Sequence, residues 1–441
     1  MTEVSHGDGA TKPTPVWRYS IGMFGMSLPI NMVRGSVALY WIDIQGLDTG
    51  AYAIVMLIYG VIDAIDNPIL GHLSDRTNTR FGRRKPWLVA GITILAAAFV
   101  AFFGAPSALE GAGMVAWFAV FAILTEAADS MVSANYGSLL PELFTDEQRR
   151  AKANALRQTF QLLALVISLA VTPVLTTQVF GTETTTEGFT ITAAIYAAVA
   201  AAVLYFMAFS VRENPPPITE KQKGFFRSIL DIATTKTFWQ VGVASACYLV
   251  PLGLVLAGMQ LYVKYSLGIA VANTFTIMGV VIAFAILCIA VWARVVPARG
   301  APFVWRLGFA FLALGFIPLY FAQTLAHAVL AGLIIAVGWS ALLVTNDLVQ
   351  ARILDEDSRR HGVHREGIFL AAFGIFGRLT GALTGVAFWL LSVLYGYENQ
   401  NSPGDDPGAA FRFLVAVIPF FIAALGAVLS RFIRLPDAGR D

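Results

Sequence analysis

Charge is what this chain has least of: 13% of its 441 residues are Asp, Glu, Lys or Arg, against roughly 25% in soluble globular proteins. So few charges cannot cover the surface of a soluble protein of this size, and lipid has to be the solvent for much of it. Cysteine is nearly absent as well. Cys247 and Cys288 each lie in an apolar run, which argues for small buried side chains and against a disulfide framework. None of the five histidines falls in the middle of an apolar run, so a proton carrier inside the membrane would be a carboxylate. The signatures of catalysis are also missing: no P-loop, no HExxH pair, no G-x-S-x-G element and no Cys–His constellation. A membrane-embedded enzyme and ATP-driven transport are therefore disfavoured. No cofactor and no nucleic-acid partner are expected, and no receptor output domain is visible.

Apolar residues are what the chain has in abundance, at 57%, with a mean hydropathy of +0.69. They come in runs of about 20 residues, the length of a spanning helix and not of a barrel strand. Helices satisfy their own backbone hydrogen bonds in lipid. Twelve runs are legible, near 20–41, 51–72, 87–105, 112–139, 154–176, 190–210, 238–262, 271–293, 304–322, 327–349, 367–394 and 410–432. The expected fold is all-α: twelve transmembrane helices in two pseudo-symmetric six-helix bundles. Residues 1–16 read as a disordered tail without a cleavable signal peptide, 17–211 as the first bundle, 212–236 as a basic linker, 237–434 as the second bundle and 435–441 as a C-terminal tail.

Basic residues alternate from loop to loop. Arg76, Arg80, Arg83, Arg84 and Lys85 follow the second run, Arg149, Arg150 and Lys152 the fourth, Arg294 and Arg299 the eighth, and Arg352, Arg359, Arg360 and Arg365 the tenth. The intervening loops hold almost none, Lys264 being the exception. The positive-inside rule then places both termini in the cytoplasm, in an inner membrane, and an even number of spans follows.

The loop Gly71-His-Leu-Ser-Asp75-Arg76-Thr-Asn-Thr-Arg80-Phe-Gly82-Arg83-Arg84 resembles the signature loop of the major facilitator superfamily, whose two six-helix halves rock around a midplane site. Asp63-Ala-Ile-Asp66-Asn67-Pro68, Arg84-Lys85-Pro86-Trp87, Tyr262-Val-Lys264-Tyr265 and the stretch Asp355-Glu356-Asp357 to Arg365-Glu366-Gly367 are similar to the glycoside–pentoside–hexuronide:cation symporters, the melibiose-permease type. The resemblance covers nearly the whole chain. It implies a monomeric secondary carrier that moves a small organic solute, such as a sugar derivative, together with Na+ or H+.

The resemblance implies a cation site on the second helix, at Asp63 and at Asp66 or Asn67. The family's second carboxylate position holds Asn67, and the acid stands one residue earlier. Asp63 shares a helix face with both, and Ser130 on the fourth helix falls where the family has a hydroxyl. These oxygens suit Na+, with Asp63 and Asp66 as the charged ligands. The alternative is that the carboxylates pair with an internal arginine. The family's sugar-binding acids fall by spacing on Ser27 and Ser133, so both are lost. Arg34 lies well inside the first apolar run, and Arg378 stands where the family has a lysine. Each guanidinium either pairs with Asp63, Asp66, Glu126 or Asp129, or grips an anionic group of the solute. Loss of acids and gain of a base favour a uronate, sulfonated sugar or organic acid over a neutral galactoside.

Glu126 and Asp129, at i and i+3 on the fourth helix, can line the same cavity or gate it, and Tyr248 and Trp339 either stack on a sugar ring or pack. Gly71, Asp75, Arg76, Arg83, Arg84, Arg157 and Glu366 are the conformational or gate residues the resemblance implies. For Arg157 a plain positive-inside anchor is the other reading. Pro29, Pro173, Pro251 and Pro318 should bend their spans. A lysolipid or other amphipathic-solute carrier, and an uncoupled uniporter, are the alternative functions.

Overall fold

A computed structural model of the chain describes residues 14–77, 79–144, 146–211, 236–361 and 366–432, with the side chains of 64–69, 71, 72, 75, 76, 236, 237, 347, 351–361, 366–373, 375 and 379 outside that description. Among the expected site residues, the side chains of Asp66, Asn67, Gly71, Asp75, Arg76 and Glu366 therefore lie outside the described residues. So do nearly all of the linker and the C-terminal tail.

Helix α1 runs over Gly22–Ala38 and continues through a π-helical turn, Leu39–Ile44. It is followed by α2 (Thr49–Arg76), α3 (Lys85–Phe102), α4 (Gly111–Leu143), α5 (Glu147–Val179) and α6 (Glu187–Ser210). The second half holds α7 (Lys236–Leu261, extended by the π turn Tyr262–Ser266), α8 (Thr274–Arg299), α9 (Ala301–Phe321), α10 (Leu325–His361), α11 (Glu366–Tyr395) and α12 (Pro407–Phe432). Among the described residues these helices follow the twelve apolar runs, and ten of them are long and apolar enough to cross a membrane. The other two are α1, with 17 residues before its π turn, and α2, whose apolar part is Thr49–Asp63. Both give up apolarity to charged residues.

Local chemistry sets the ends. Asp48, Asp146 and Asp406 cap α2, α5 and α12, each accepting a backbone N–H three residues on at 2.7, 2.9 and 2.8 Å, as an N-cap acid does. Gly300 breaks the chain between α8 and α9 at φ 82°, a left-handed value glycine adopts without strain. Pro29, Pro251 and Pro318 lie inside α1, α7 and α9, and Pro173 sits between two π turns of α5. Helix α10 outruns its apolar stretch, because good helix formers carry it on after hydropathy stops.

The seam between the halves is built by α1, α2 and α5 against α7, α8 and α11. Its tightest crossing is α2 on α11. A Cβ at Gly385 would stand 2.9 Å from Met56 Cβ and 3.1 Å from Ala53 Cα, whereas one at Gly137 of α4 would meet nothing within 4 Å. Gly385→Ala should therefore lower the melting temperature in detergent, by the equivalent of about 1–3 kcal/mol of overpacking. Gly137→Ala should raise it slightly through helix propensity. Equal shifts would mean that the crossing accommodates a methyl group. Away from the seam, large apolar side chains such as Leu287, Phe209, Phe321 and Phe421 are mostly exposed, which fits lipid and would be a liability in water.

Candidate functional site

The seam encloses a cavity of about 480 Å³, lined by α1, α2, α4, α7 and α11. Helical spacing explains who lines it. Ile30, Arg34 and Val37 come from one face of α1, and Tyr59 and Asp63 from one face of α2. Glu126, Asp129, Ser130 and Ser133 form a stripe on α4 at the spacing that keeps residues on one side. Helix α7 adds an apolar wall around Leu252 and Leu256, and α11 adds Arg378, Thr380 and Thr384 among glycines.

Arg378 Nη1 stands 2.7 Å from Asp63 Oδ1, with both side chains largely buried. This ion pair spans the two halves, and of the alternatives open to Arg378 it is the pairing one. Arg34 is exposed to the cavity and makes no ion pair among the described residues. A guanidinium at membrane depth that no described carboxylate pairs is open to water or an anion. Tyr59 donates its hydroxyl to Glu126 Oε2, and Glu126 is 8% exposed. Ser133 Oγ donates to the Ser130 carbonyl at 3.2 Å, so part of its hydrogen-bonding capacity is used within its own helix. No group of three or more acidic, His or Cys side chains suited to a metal occurs among the described residues.

Three expected solute contacts fall elsewhere. Ser27 shares the face of Ile30 and Arg34 but lies a turn beyond the cavity, where it is buried. Tyr248 and Trp339 line a separate apolar cavity of about 80 Å³ between α5, α7, α8, α9 and α10. That space is walled mainly by apolar side chains and offers little to sugar hydroxyls, and Trp339 Nε1 is buried without a hydrogen-bond partner among the described residues. The two cysteines are unpaired, Cys247 buried and Cys288 partly so.

At the end of the bundle nearest the termini, Glu142 at the close of α4 binds Arg83 at 2.6 Å and Arg84 at 2.9 Å. The basic loop is thereby tied to its own half. Arg157 lies over the rings of Tyr136 and Tyr19, at 4.9 and 5.8 Å, also within the first half.

The opposite end holds a cluster that sequence reasoning missed. Asp43, fully buried on the π turn of α1, accepts from Lys264 Nζ at 2.5 Å, Tyr265 Oη at 2.6 Å and Tyr397 Oη at 2.8 Å. Its backbone carbonyl accepts from Gln400 N at 3.2 Å. Lys264 and Tyr265 sit on the π turn of α7, so two π turns, features common at functional positions, face each other across the seam. Burial and the Asp43 carboxylate hold the Tyr397 hydroxyl well above its ordinary range, which keeps it a donor at neutral pH. Glu183 Oε1, accepting from Val271 N at 2.6 Å, and Gln260 Nε2, donating to Ser36 Oγ at 3.0 Å, add further links between the halves. The sequence signal was Lys264 itself, the one base in loops otherwise without them.

A family model described as MFS/sugar transport protein matches residues 18–437. The glucuronide carrier protein homolog of Escherichia coli is 24% identical over 446 residues, 96% of this chain and 93% of that protein. An uncharacterized symporter of Synechocystis sp. is 28% identical over 156 residues, 34% of this chain and 29% of that protein. Two further curated relatives are matched over 43% and 61% of their own length, so with several relatives the match spans less than two thirds of the protein. Among solved structures, a mutant of the nucleoside transporter NupG superposes with a TM-score of 0.71 at 11% identity, over 95% of this chain and 99% of that one.

Proposed function

This chain belongs to the MFS/sugar transport protein family, and from that premise we propose that it is a secondary carrier of a small organic anion coupled to a cation. The carrying observation is Arg34, a guanidinium facing the central cavity with no ion pair among the described residues. A carboxylate, sulfonate or phosphate meets its planar fork with two parallel charge-assisted hydrogen bonds. The threonines of α11 and the serines of α4 offer hydroxyl contacts to the rest of a polyol, and the apolar face of α7 offers the other wall. The relative named as a glucuronide carrier homolog puts uronates first among the anions to try.

In this reading twelve spans cross an inner membrane with both termini in the cytoplasm, the bundles being 17–211 and 237–434 around the linker 212–236. The cavity then lies near the midplane, the Asp43 cluster closes the outer end, and the halves rock around the solute. Asp63 cannot offer both carboxylate oxygens to Na+ while Arg378 holds one, so a cation bound at Asp63, Asp66, Asn67 and Ser130 would act by releasing Arg378. The Arg83–Glu142–Arg84 contacts, with Gly71, Asp75, Arg76, Arg157 and Glu366, serve the inner end.

Counterflow in proteoliposomes tests the solute class, using neutral glycosides, glucuronate, a sulfonated sugar, small dicarboxylates and a lysophospholipid in parallel. Exchange of one or more of the water-soluble anions is expected. Exchange of neutral glycosides with every anion refused would defeat the reading of Arg34. Exchange of the lysophospholipid alone would give the amphipathic-solute carrier instead.

A further inference from the structure

We propose that Glu126 carries the co-transported proton, taking it up when an anion occupies Arg34 and releasing it when the anion leaves. This rests on the reading of Arg34 as the anion ligand. Glu126 lines the cavity yet is 8% exposed, and it has no ion pair among the described residues. The groups facing it are Tyr59 and Asp63 on α2, Arg34 on α1 and Asp129 on its own helix. Helix α11 presents Arg378, whose charge is engaged by Asp63 at 2.7 Å. Helix α3, packed along α4, has no titratable side chain beyond Lys85 at its first residue.

Arg34 is thus the one cation near Glu126 not held by a carboxylate among the described residues, and it is also the group an anion would cover. Once covered, it no longer offsets a negative charge on Glu126, and the anion adds a second negative charge to the same low-dielectric space. A proton on the carboxyl removes that conflict. By linkage, proton and anion then favour each other's binding reciprocally. Tyr59 prepares the group for this, because its hydroxyl donates to Oε2 and leaves Oε1 to take the proton. The proton arrives from the outer solution with the solute and leaves to the inner solution with it, and no other bond changes.

Infrared difference spectroscopy on the reconstituted full chain reads the site without transport. Between acid and alkaline buffer, wild type should show the carbonyl band of a protonated carboxyl that is lost in Glu126→Gln and kept in Glu126→Asp and Asp129→Asn. At fixed pH, glucuronate should increase that band in wild type and leave it unmoved in Arg34→Gln. A band that survives Glu126→Gln, or that disappears only with Asp129→Asn, overturns the assignment. If wild type exchanges glucuronate in counterflow while the band stays constant, the coupling is overturned and the reading of Arg34 stands. If counterflow refuses every anion, it is the reading of Arg34 that fails. In transport, an inward proton gradient should drive accumulation by wild type and by Glu126→Asp, and not by Glu126→Gln.

Discussion

Arg34→Gln should raise the half-saturating concentration for anion counterflow by about 100-fold, the loss expected when one partner of a buried charge pair is removed. The stability of the protein should hardly change. The contrast follows from the environment of Arg34. It lines the cavity and breaks no ion pair among the described residues when it is removed, and Glu126, whose charge it offsets, can answer by taking up a proton. Arg34→Lys keeps the charge and loses the fork, and an intermediate loss of about tenfold is expected. Arg378→Gln should behave in the opposite way. It leaves Asp63 without the contact at 2.7 Å and should lower the melting temperature in detergent as well as transport, since breaking a buried pair strands a charge. Measuring half-saturation and melting temperature for both variants separates a ligand from a strut. Equal effects on both quantities in the two variants would mean that Arg34 is structural too.

Most of the architecture was legible because the bilayer imposes a length. Runs of about 20 apolar residues became α3 to α12, most with boundaries shifted by a few residues and α10 running on to His361. The charged members of the site were legible for the same reason: Arg34, Asp63, Glu126, Asp129 and Arg378 stand out in apolar sequence. Their pairing was not. Whether Asp63 meets Arg378 or Arg34 depends on how α2 crosses α11, a contact set by small residues such as Gly385 far along the chain. Tyr59 went unnoticed because a tyrosine in an apolar run looks like a packing residue until its hydroxyl is seen to reach Glu126. Ser27 has the right face and the wrong depth, while Tyr248 stands on the α7 face turned toward the smaller cavity. Periodicity gives a residue's face on its own helix and not what lies opposite.

Asp43 escaped for a further reason, since an acid near the end of a span normally meets water. Here two π turns and the loop between α11 and α12 enclose it, and the cluster carries the largest expected effect on conformation. In a background with Cys247 and Cys288 replaced by Ser, a cysteine placed at Val37 lies on the cavity wall beneath the cluster, where the native side chain is 6% exposed. A membrane-impermeant thiol reagent added from outside should label it slowly while Asp43 holds Lys264, Tyr265 and Tyr397. Asp43→Asn strands the Lys264 charge. Breaking a buried pair costs about 3–5 kcal/mol; in the proposed orientation this favours the outward-open arrangement by about two to nearly four orders of magnitude, and labelling should accelerate by at least about tenfold. Adding Lys264→Met to Asp43→Asn removes the stranded charge and should return part of the protection, because an apolar replacement of a buried pair is often close to neutral. The same cluster should also limit turnover, since each cycle has to break it. Wild type and Asp43→Asn labelled at one rate would mean that this end of the bundle is held shut by the apolar packing around Tyr40, Trp41 and Phe118 and not by the charge cluster.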